Sequence, residues 1–145
     1  MKFRLWMIVL LVIPLFLVKC SSPGTAGITI SGAWARPGFS GANSAVYLIV
    51  ENSGDQPDTL LSAQANVAQL VELHESQMDA SGTMSMQEQE RIDVPAKDQI
   101  AFQPGGLHVM LIQLNGDLNP GDHFNLTLNF QTAGQVPVDV EVKEP

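Results

Sequence analysis

Histidine and methionine are concentrated in one window of the 145-residue sequence. Apart from two methionines within the first seven residues, every methionine lies between His74 and a point two residues beyond His108. Methionine used only to fill a core is expected to be scattered over all strands, whereas the other predicted strands are filled by Val, Leu, Ile and Phe. The clustering therefore indicates a chemical role for Met78, Met84, Met86 and Met110.

The residue types in this window are those of a soft-metal site. Residues two apart in a β-strand point to one face, so the imidazole of His108 and the thioether of Met110 emerge side by side. His74 ends an earlier predicted strand, and Met84 and Met86 share a face on the next one. If these strands meet, two imidazoles and one or two thioethers converge. Thioether sulfur suits Cu(I), whereas Zn²⁺, Ca²⁺ and Mg²⁺ prefer thiolate, imidazole or oxygen ligands.

Other functional classes find less support in the residues. A single His-x-Met is a weak signal, and it is the joint clustering that favours a metal site over packing. No Gly-x-Ser-x-Gly elbow is present, and nothing places a nucleophile beside a base, so the sequence does not predict an enzyme. A blue-copper electron carrier needs a cysteine ligand, and Cys20 lies outside the predicted domain. His123, beside Asp122 in a predicted turn, is interpreted as a surface residue.

Short β-strands must position these side chains. Apolar and polar residues alternate in several runs, most clearly from 124 to 130, and Gly, Pro, Asn and Asp separate the runs. Only residues 64–70 suggest a helical turn. The pattern predicts an all-β, antiparallel sandwich. The predicted strands are 28–35, 45–51, 59–63, 70–75, 84–89, 99–103, 107–114, 124–130 and 136–142.

The N-terminal region has the layout of a secretory signal peptide. Lys2 and Arg4 precede an apolar run that contains Pro14 and is shorter than a membrane-spanning helix. Cys20, the sole cysteine, resembles the lipid-bearing cysteine of a bacterial lipobox, although Lys19 stands where Gly, Ala or Ser is usual. The alternative is an uncleaved signal anchor in which the cysteine is incidental.

This layout divides the chain into a leader at 1–20, a flexible linker at 21–26 and one domain at 27–145. Both alternatives place the domain in the periplasm or at the outer face of the cytoplasmic membrane. Beyond the leader, four Lys and Arg stand against fifteen carboxylates, a formal charge of −11. Such a surface repels nucleic acid and anionic lipid and favours cations or a positively charged partner. Without further cysteine, the domain has no disulfide.

The spacing of the window resembles the signature of the PCuAC family of periplasmic copper chaperones. That signature is a His, a Met somewhat over ten residues later, and a His-x-Met after a further twenty-one. Twenty-one residues separate Met86 from His108, while the interval from His74 is one residue longer than the commonest family spacing. With Met84 as the ligand, the interval from His74 would be shorter, but the interval to His108 would no longer match the signature. Met84 is therefore kept as a possible substitute for Met86. The resemblance thus implies the ligands His74, Met86, His108 and Met110.

Four further segments, at 28–37, 45–52, 71–75 and 104–111, resemble the family, so the similarity covers nearly all of the exported domain. It implies a cupredoxin-like, immunoglobulin-like sandwich that binds one Cu(I) and passes it to a copper-accepting protein. The acceptor would be a cytochrome c oxidase subunit or another copper chaperone. A lipid on Cys20 would hold the carrier near a membrane-bound acceptor.

Two alternatives remain open at this level. One is a periplasmic copper buffer or resistance protein without a dedicated acceptor. The other is a metal-free β-sandwich interaction module in which the methionines belong to the core. Transfer to an oxidase copper-site domain separates the first alternative from a chaperone, and failure to bind Cu(I) would favour the second.

Overall fold

The structure, a computed structural model, describes residues 27–144. The predicted leader, Cys20 and the linker lie outside these residues. The described part is built from strands, which confirms the all-β prediction, and it contains no helix long and apolar enough to cross a membrane. The strands are β1 (Ile28–Ala35), β2 (Ser44–Asn52), β3 (Asp58–Ala65), β4 (Ala68–Met78), β5 (Met84–Glu88), β6 (Ile92–Val94), β7 (Asp98–Phe102), β8 (Leu107–Leu114), β9 (His123–Phe130) and β10 (Gly134–Val142).

The ten strands form one continuous sheet in the order β5-β4-β8-β7-β2-β1-β10-β9-β3-β6. Strand β1 belongs to both halves, because it pairs with β2 and, at its end, with β10. A bulge between Ser31 and Trp34, with Gly32 at a φ of 61°, interrupts its pairing with β2. The two halves share one core and form the predicted sandwich. The pairs β1–β10 and β7–β8 are parallel, which differs from the wholly antiparallel prediction.

Alternation of apolar and polar residues decides which face of each strand is buried. In β9, the side chains of Phe124, Leu126 and Leu128 are buried in the core, while Asn125 is exposed. Removal of these apolar faces from water is the main favourable contribution to folding. Val46 and Val109 contribute to the same core from the other half of the sheet. The apolar faces of both halves thus form the core, while the opposite face of β4, β5 and β8 carries the candidate site.

Two local predictions were incomplete or wrong. The helical turn predicted for 64–70 is absent, since β3 continues to Ala65 and β4 begins at Ala68. Asn115 satisfies the backbone of the intervening turn, because its side chain donates to the Asn66 carbonyl and its amide to the Val67 carbonyl. Strand β6 was not predicted, since three residues are too short to show a two-residue period.

Candidate metal centre

Three adjacent strands, β5, β4 and β8, bring the predicted ligands to one face of the sheet. Residues opposite each other in paired strands share a face, as do alternate residues along a strand. The opposite face of these strands packs in the core through Leu73 and Val109. The relevant cross-strand pairs are Glu72 with Met110, His74 with His108, Ser76 with Met86, and Met78 with Met84.

A surface cavity of about 450 Å³ opens over this face. Its walls combine soft donors with an aromatic ring and one cationic side chain. The residues that line it include Met84, Met86, Met110, His108, Tyr47 and Arg36. The His74 ring lies next to that of His108, with 5.8 Å between the ring centroids. The structure thus brings all four predicted ligands and the substitute to one region.

The His108 ring is oriented by the backbone. The side chain is almost fully buried, and its Nδ1–H donates to the carbonyl oxygen of Gly106 at 3.0 Å. Because a carbonyl only accepts, the neutral ring keeps its bare lone pair on Nε2. This Nε2 is buried and has no hydrogen-bond partner within residues 27–144. A buried polar atom without a partner requires an explanation, and a metal ion in the cavity is a suitable one.

The His74 ring is oriented by a carboxylate. Its Nε2–H donates to Oε2 of Glu72 at 2.7 Å, which leaves the lone pair of the neutral ring on Nδ1. That Nδ1 is likewise buried without a partner in the described part of the chain. Metal-binding histidines almost always donate their other ring N–H to a carboxylate, a carbonyl or water. Both histidines therefore have the hydrogen-bonding arrangement expected of metal ligands.

The thioethers at this face are not core residues. Met78, Met84 and Met86 expose 68%, 50% and 61% of their surface, respectively, and only Met110 is partly buried. Packing therefore does not account for three of the four methionines. This contradicts the alternative in which these side chains fill the core of a metal-free module.

The strand register distinguishes Met86 from Met84. Met86 pairs with Ser76, two residues from His74, whereas Met84 pairs with Met78, four residues from it. Strand residues rise by about 3.3 Å each, so the two methionines lie roughly 7 Å and 13 Å along the strand from the histidine pair. Met86 is thus the better placed of the two, and its assignment as a ligand stays a prediction.

An aromatic and cationic border flanks the cavity. The Tyr47 ring lies 6.4 Å from the His108 ring and 4.8 Å from that of Trp34, measured between centroids. The guanidinium carbon of Arg36 lies 5.7 Å from the centroid of Tyr47, within the range of a cation–π contact. The cavity of this acidic protein therefore has a positive charge at its wall.

Sequence reasoning missed several members of this site. Glu72 could have been found, because it lies two residues before His74 and so shares its face in a strand. The Gly106 carbonyl, Tyr47 and Arg36 had no comparable signal. His123 was predicted to be a surface residue, and this is confirmed. It lies on β9, is exposed, and contacts Asp139 at 2.9 Å.

Comparison with known proteins identifies the family. A family model described as "Putative lipoprotein LpqE-like" matches residues 28–142. "Putative lipoprotein Lxx21020" of Leifsonia xyli subsp. xyli (strain CTCB07) is 32% identical over 119 residues, which cover 81% of this chain and 70% of that protein. The chain therefore belongs to the LpqE-like family.

Solved structures of PCuAC domains share the fold. The copper-bound PCuAC domain from PmoF2 is 28% identical, with a TM-score of 0.68, over 82% of this chain and 94% of that one. The apo PCuAC domain from PmoF1 is 26% identical, with a TM-score of 0.70, over 82% and 95%. These similarities confirm the resemblance to the PCuAC family and the cupredoxin-like sandwich that it implied.

Proposed function

We propose that this protein is a non-enzymatic copper chaperone that works outside the cytoplasm. It binds one Cu(I) through His74, Met86, His108 and Met110. It then delivers the ion to a copper-accepting protein, either the copper site of a cytochrome c oxidase subunit or another copper chaperone. The observation that carries the proposal is the pair of buried ring nitrogens, His74 Nδ1 and His108 Nε2, each without a partner in residues 27–144 and adjacent to exposed thioethers.

The chemistry of the donors favours Cu(I) over harder ions. All four donor atoms are uncharged, and two are thioether sulfurs, which are soft ligands that select Cu(I). The Glu72 carboxylate and the Gly106 carbonyl accept from one nitrogen of each ring and leave the other nitrogen of each neutral ring free to bind the metal. The copper-bound PmoF2 domain, which has the same fold, supports this choice of metal.

The position of the donors favours a carrier. Met86 lies on β5, an edge strand whose five residues are all exposed, so an incoming ligand can approach the metal from solvent. Neutral thioethers are weaker competitors for Cu(I) than the thiolates an acceptor can offer, so the ion can be displaced stepwise. A protein that only stored copper would gain by enclosing its ligands.

The N-terminal region extends the proposal to a membrane tether. A leader at 1–20, a lipid on Cys20 and a linker at 21–26 would place the 27–145 domain outside the cytoplasm and close to a membrane-bound acceptor. The lipoprotein designation of the Leifsonia relative supports this anchoring. Tethering raises the effective concentration of donor and acceptor without any new contact. The acidic charge of the exported part argues against a nucleic-acid partner.

Cu(I) titration of the H108A/M110A variant tests the ligands. The unmodified protein is expected to bind one Cu(I), and the double variant to lose most of that affinity in competition with a chromogenic Cu(I) chelator. Both should unfold cooperatively, because the double substitution leaves Val109 and Leu111, the core residues of β8, in place. The matched control is His123→Ala, which removes an exposed imidazole from the other half of the sheet. Unchanged copper stoichiometry in H108A/M110A would exclude the assigned ligands.

A transfer assay separates the chaperone from the buffer. The Cu(I)-loaded protein is mixed with an apo oxidase copper-site domain, and the metal content of each is measured after separation. A chaperone should transfer its copper within the mixing experiment. Retention of copper against an acceptor with a higher affinity would instead identify a buffer.

A further inference from the structure

Two methionines form a pair outside the four-ligand centre. Met78 and Met84 are direct cross-strand partners at the outer end of the β4–β5 hairpin. Their side chains share the face that carries His74 and Met86, and they expose 68% and 50% of their surface. Directly opposed residues have Cβ atoms about 4.5–5.5 Å apart, so both sulfurs can reach one small ion. We define this pair as the outer thioether pair.

The hairpin turn holds the outer thioether pair in register. The Asp79 carboxylate accepts hydrogen bonds from the Ser81 amide at 2.9 Å, the Ser81 hydroxyl at 2.6 Å and the Thr83 amide at 2.8 Å. The Asp79 amide also donates to the Thr83 carbonyl at 3.0 Å. Since residues 79 and 83 directly follow and precede the two methionines, these bonds fix the strands on which the pair lies.

The outer thioether pair is continuous with the candidate centre. Met84 lines the same cavity as Met86, His108 and Met110, although its cross-strand partner Met78 does not. Measured along the strands, Met84 lies about 7 Å from Met86, and Met86 lies about 7 Å from the cross-strand pair of His74 and His108. Their exposure excludes a packing role, and the pair lies next to the turn that closes the β4–β5 hairpin.

From this geometry we infer that the outer thioether pair is a second, weaker Cu(I) station, through which the ion is loaded into and unloaded from the four-ligand centre. The inference rests on the proposed Cu(I) binding. Two neutral thioethers bind more weakly than a set that adds two imidazoles, so occupancy of this station is transient. On loading, the sulfurs of Met86 and Met110 replace those of Met78 and Met84 around copper, and the ring nitrogens of His74 and His108 complete the set; unloading reverses these exchanges. The ion stays Cu(I), and neither protons nor electrons are exchanged.

The M78L/M84L variant of the full chain tests the station, because leucine keeps the apolar volume and removes the sulfur. Equilibrium Cu(I) affinity, measured by chelator competition, should remain within about twofold. Rates of Cu(I) loading and of removal by excess chelator, measured by stopped flow, should both fall about fivefold or more. Both rates must fall together, since a lost intermediate station changes the barrier and not the end states.

The hairpin supplies a matched control and a direct readout. Gln77 and Ser85 are the neighbouring cross-strand pair on the opposite face, so Q77L/S85L should leave both rates unchanged. In the unmodified protein labelled with ¹³C-methyl methionine, a second equivalent of Ag(I), a soft Cu(I) analogue, should shift the methyl signals of Met78 and Met84. Unchanged rates in M78L/M84L together with unshifted methyl signals would overturn the station alone. Absence of Cu(I) binding in the unmodified protein would overturn both the station and the proposed function.

Discussion

At the scale of single residues, the site depends on which ring nitrogen of each histidine is left free. The two rings use different hydrogen-bond acceptors, the Gly106 carbonyl for His108 and the Glu72 carboxylate for His74. The Gly106 acceptor belongs to the backbone, so only the Glu72 carboxylate can be removed by substitution. For the proposed Cu(I) centre we therefore expect Glu72 to be a positioning residue that affects the metal through His74 without binding it.

Substitution of Glu72 should weaken Cu(I) binding according to what replaces the carboxylate. Gln keeps a carbonyl that accepts from His74 Nε2–H, so E72Q should stay within a few-fold of the unmodified affinity. Removal of the acceptor in E72A should cost about 10- to 100-fold, as found for such outer partners. Chelator competition measures the affinity, and ¹⁵N NMR of the copper-free protein reports the His74 tautomer.

The control for this prediction is Glu75→Ala, on the same strand but the opposite face, where Glu75 contacts Gln77. That variant should bind Cu(I) normally. An E72A protein with unchanged affinity and an unchanged His74 tautomer would show that Glu72 does not position the ring.

Met86 and Met84 should differ in their effects at equilibrium. Because Met86 lies two residues along the strand from the histidine pair and Met84 four, M86L should lower Cu(I) affinity by about tenfold or more, whereas M84L should change it by less than about twofold. Parallel chelator titrations compare the two variants directly. Equal losses would mean that the two thioethers share the ligand position, and a larger loss in M84L would reverse the assignment.

At the scale of elements, β5 is the least supported strand that carries a predicted ligand. It lies at the edge of the sheet, its residues are exposed, and among the strands of residues 27–144 it pairs only with β4. Short edge strands with little buried apolar surface open locally at low free-energy cost. The hydrogen bonds of Asp79 with Ser81 and Thr83, in the turn that joins β4 to β5, limit this local opening. The hydrogen bond from the Ser81 hydroxyl, followed by that from the Thr83 amide, lowers the pKa of the Asp79 carboxyl, which shows that its ionised form is the one stabilised there.

Loosening this turn should affect β5 before the rest of the sheet. In D79A, amide hydrogen exchange of β5 should become severalfold faster, while the amide of Leu111 in β8 keeps its protection. D79N retains an acceptor oxygen, so its β5 exchange rate should lie between those of D79A and the unmodified protein. Saturation with Cu(I) should slow β5 exchange again, since a ligand that binds only the closed form stabilises it. Uniform acceleration in all strands would show that the turn supports the whole fold.

Strand positions were predictable from local periodicity, and the ligand window from the clustering of His and Met along the sequence. The alternation in β9 and the His-x-Met in β8 are properties of eight consecutive residues. The pairing of His74 with His108 is not such a property, since it depends on a register between strands more than thirty residues apart. For the same reason Tyr47 and Arg36, contributed by β2 and the loop before it, could not be assigned to the cavity from the sequence.

At the scale of the whole molecule, the candidate site and a buried carboxylate that supports the fold lie in different halves of the sheet. The site occupies the β5 edge, and a buried carboxylate supports the other half. Asp58, at the start of β3, is 5% exposed and accepts hydrogen bonds from the amides of Thr59, Thr132 and Ala133 at 2.7–2.8 Å. It thereby ties the turn between β9 and β10 to the start of β3.

This contact makes stability depend on pH. Burial by itself raises the pKa of Asp58, but the hydrogen bonds from Thr132, Ala133 and Thr59 outweigh it and hold the pKa below the ordinary value of 3.8. The unfolded chain therefore takes up the proton at a higher pH than the folded chain does. The stabilisation is fully present above about pH 4–5 and is lost as pH falls through the lower, folded pKa.

The isosteric variant D58N should isolate this contribution. Its amide nitrogen would face the Ala133 N–H, so we expect a loss of about 1–3 kcal/mol in the free energy of unfolding near pH 7. Urea unfolding at pH 7, 5 and 3 should show the gap to the unmodified protein narrowing at pH 3, because proton uptake by the unfolded chain removes part of the stabilisation that Asp58 gives the unmodified protein. The control is Asp98→Asn, an exposed aspartate whose carboxylate accepts from the Gln99 amide, and this variant should change stability little. A gap in D58N that stayed constant down to pH 3 would show that its cost comes from packing and not from the charge of the carboxylate.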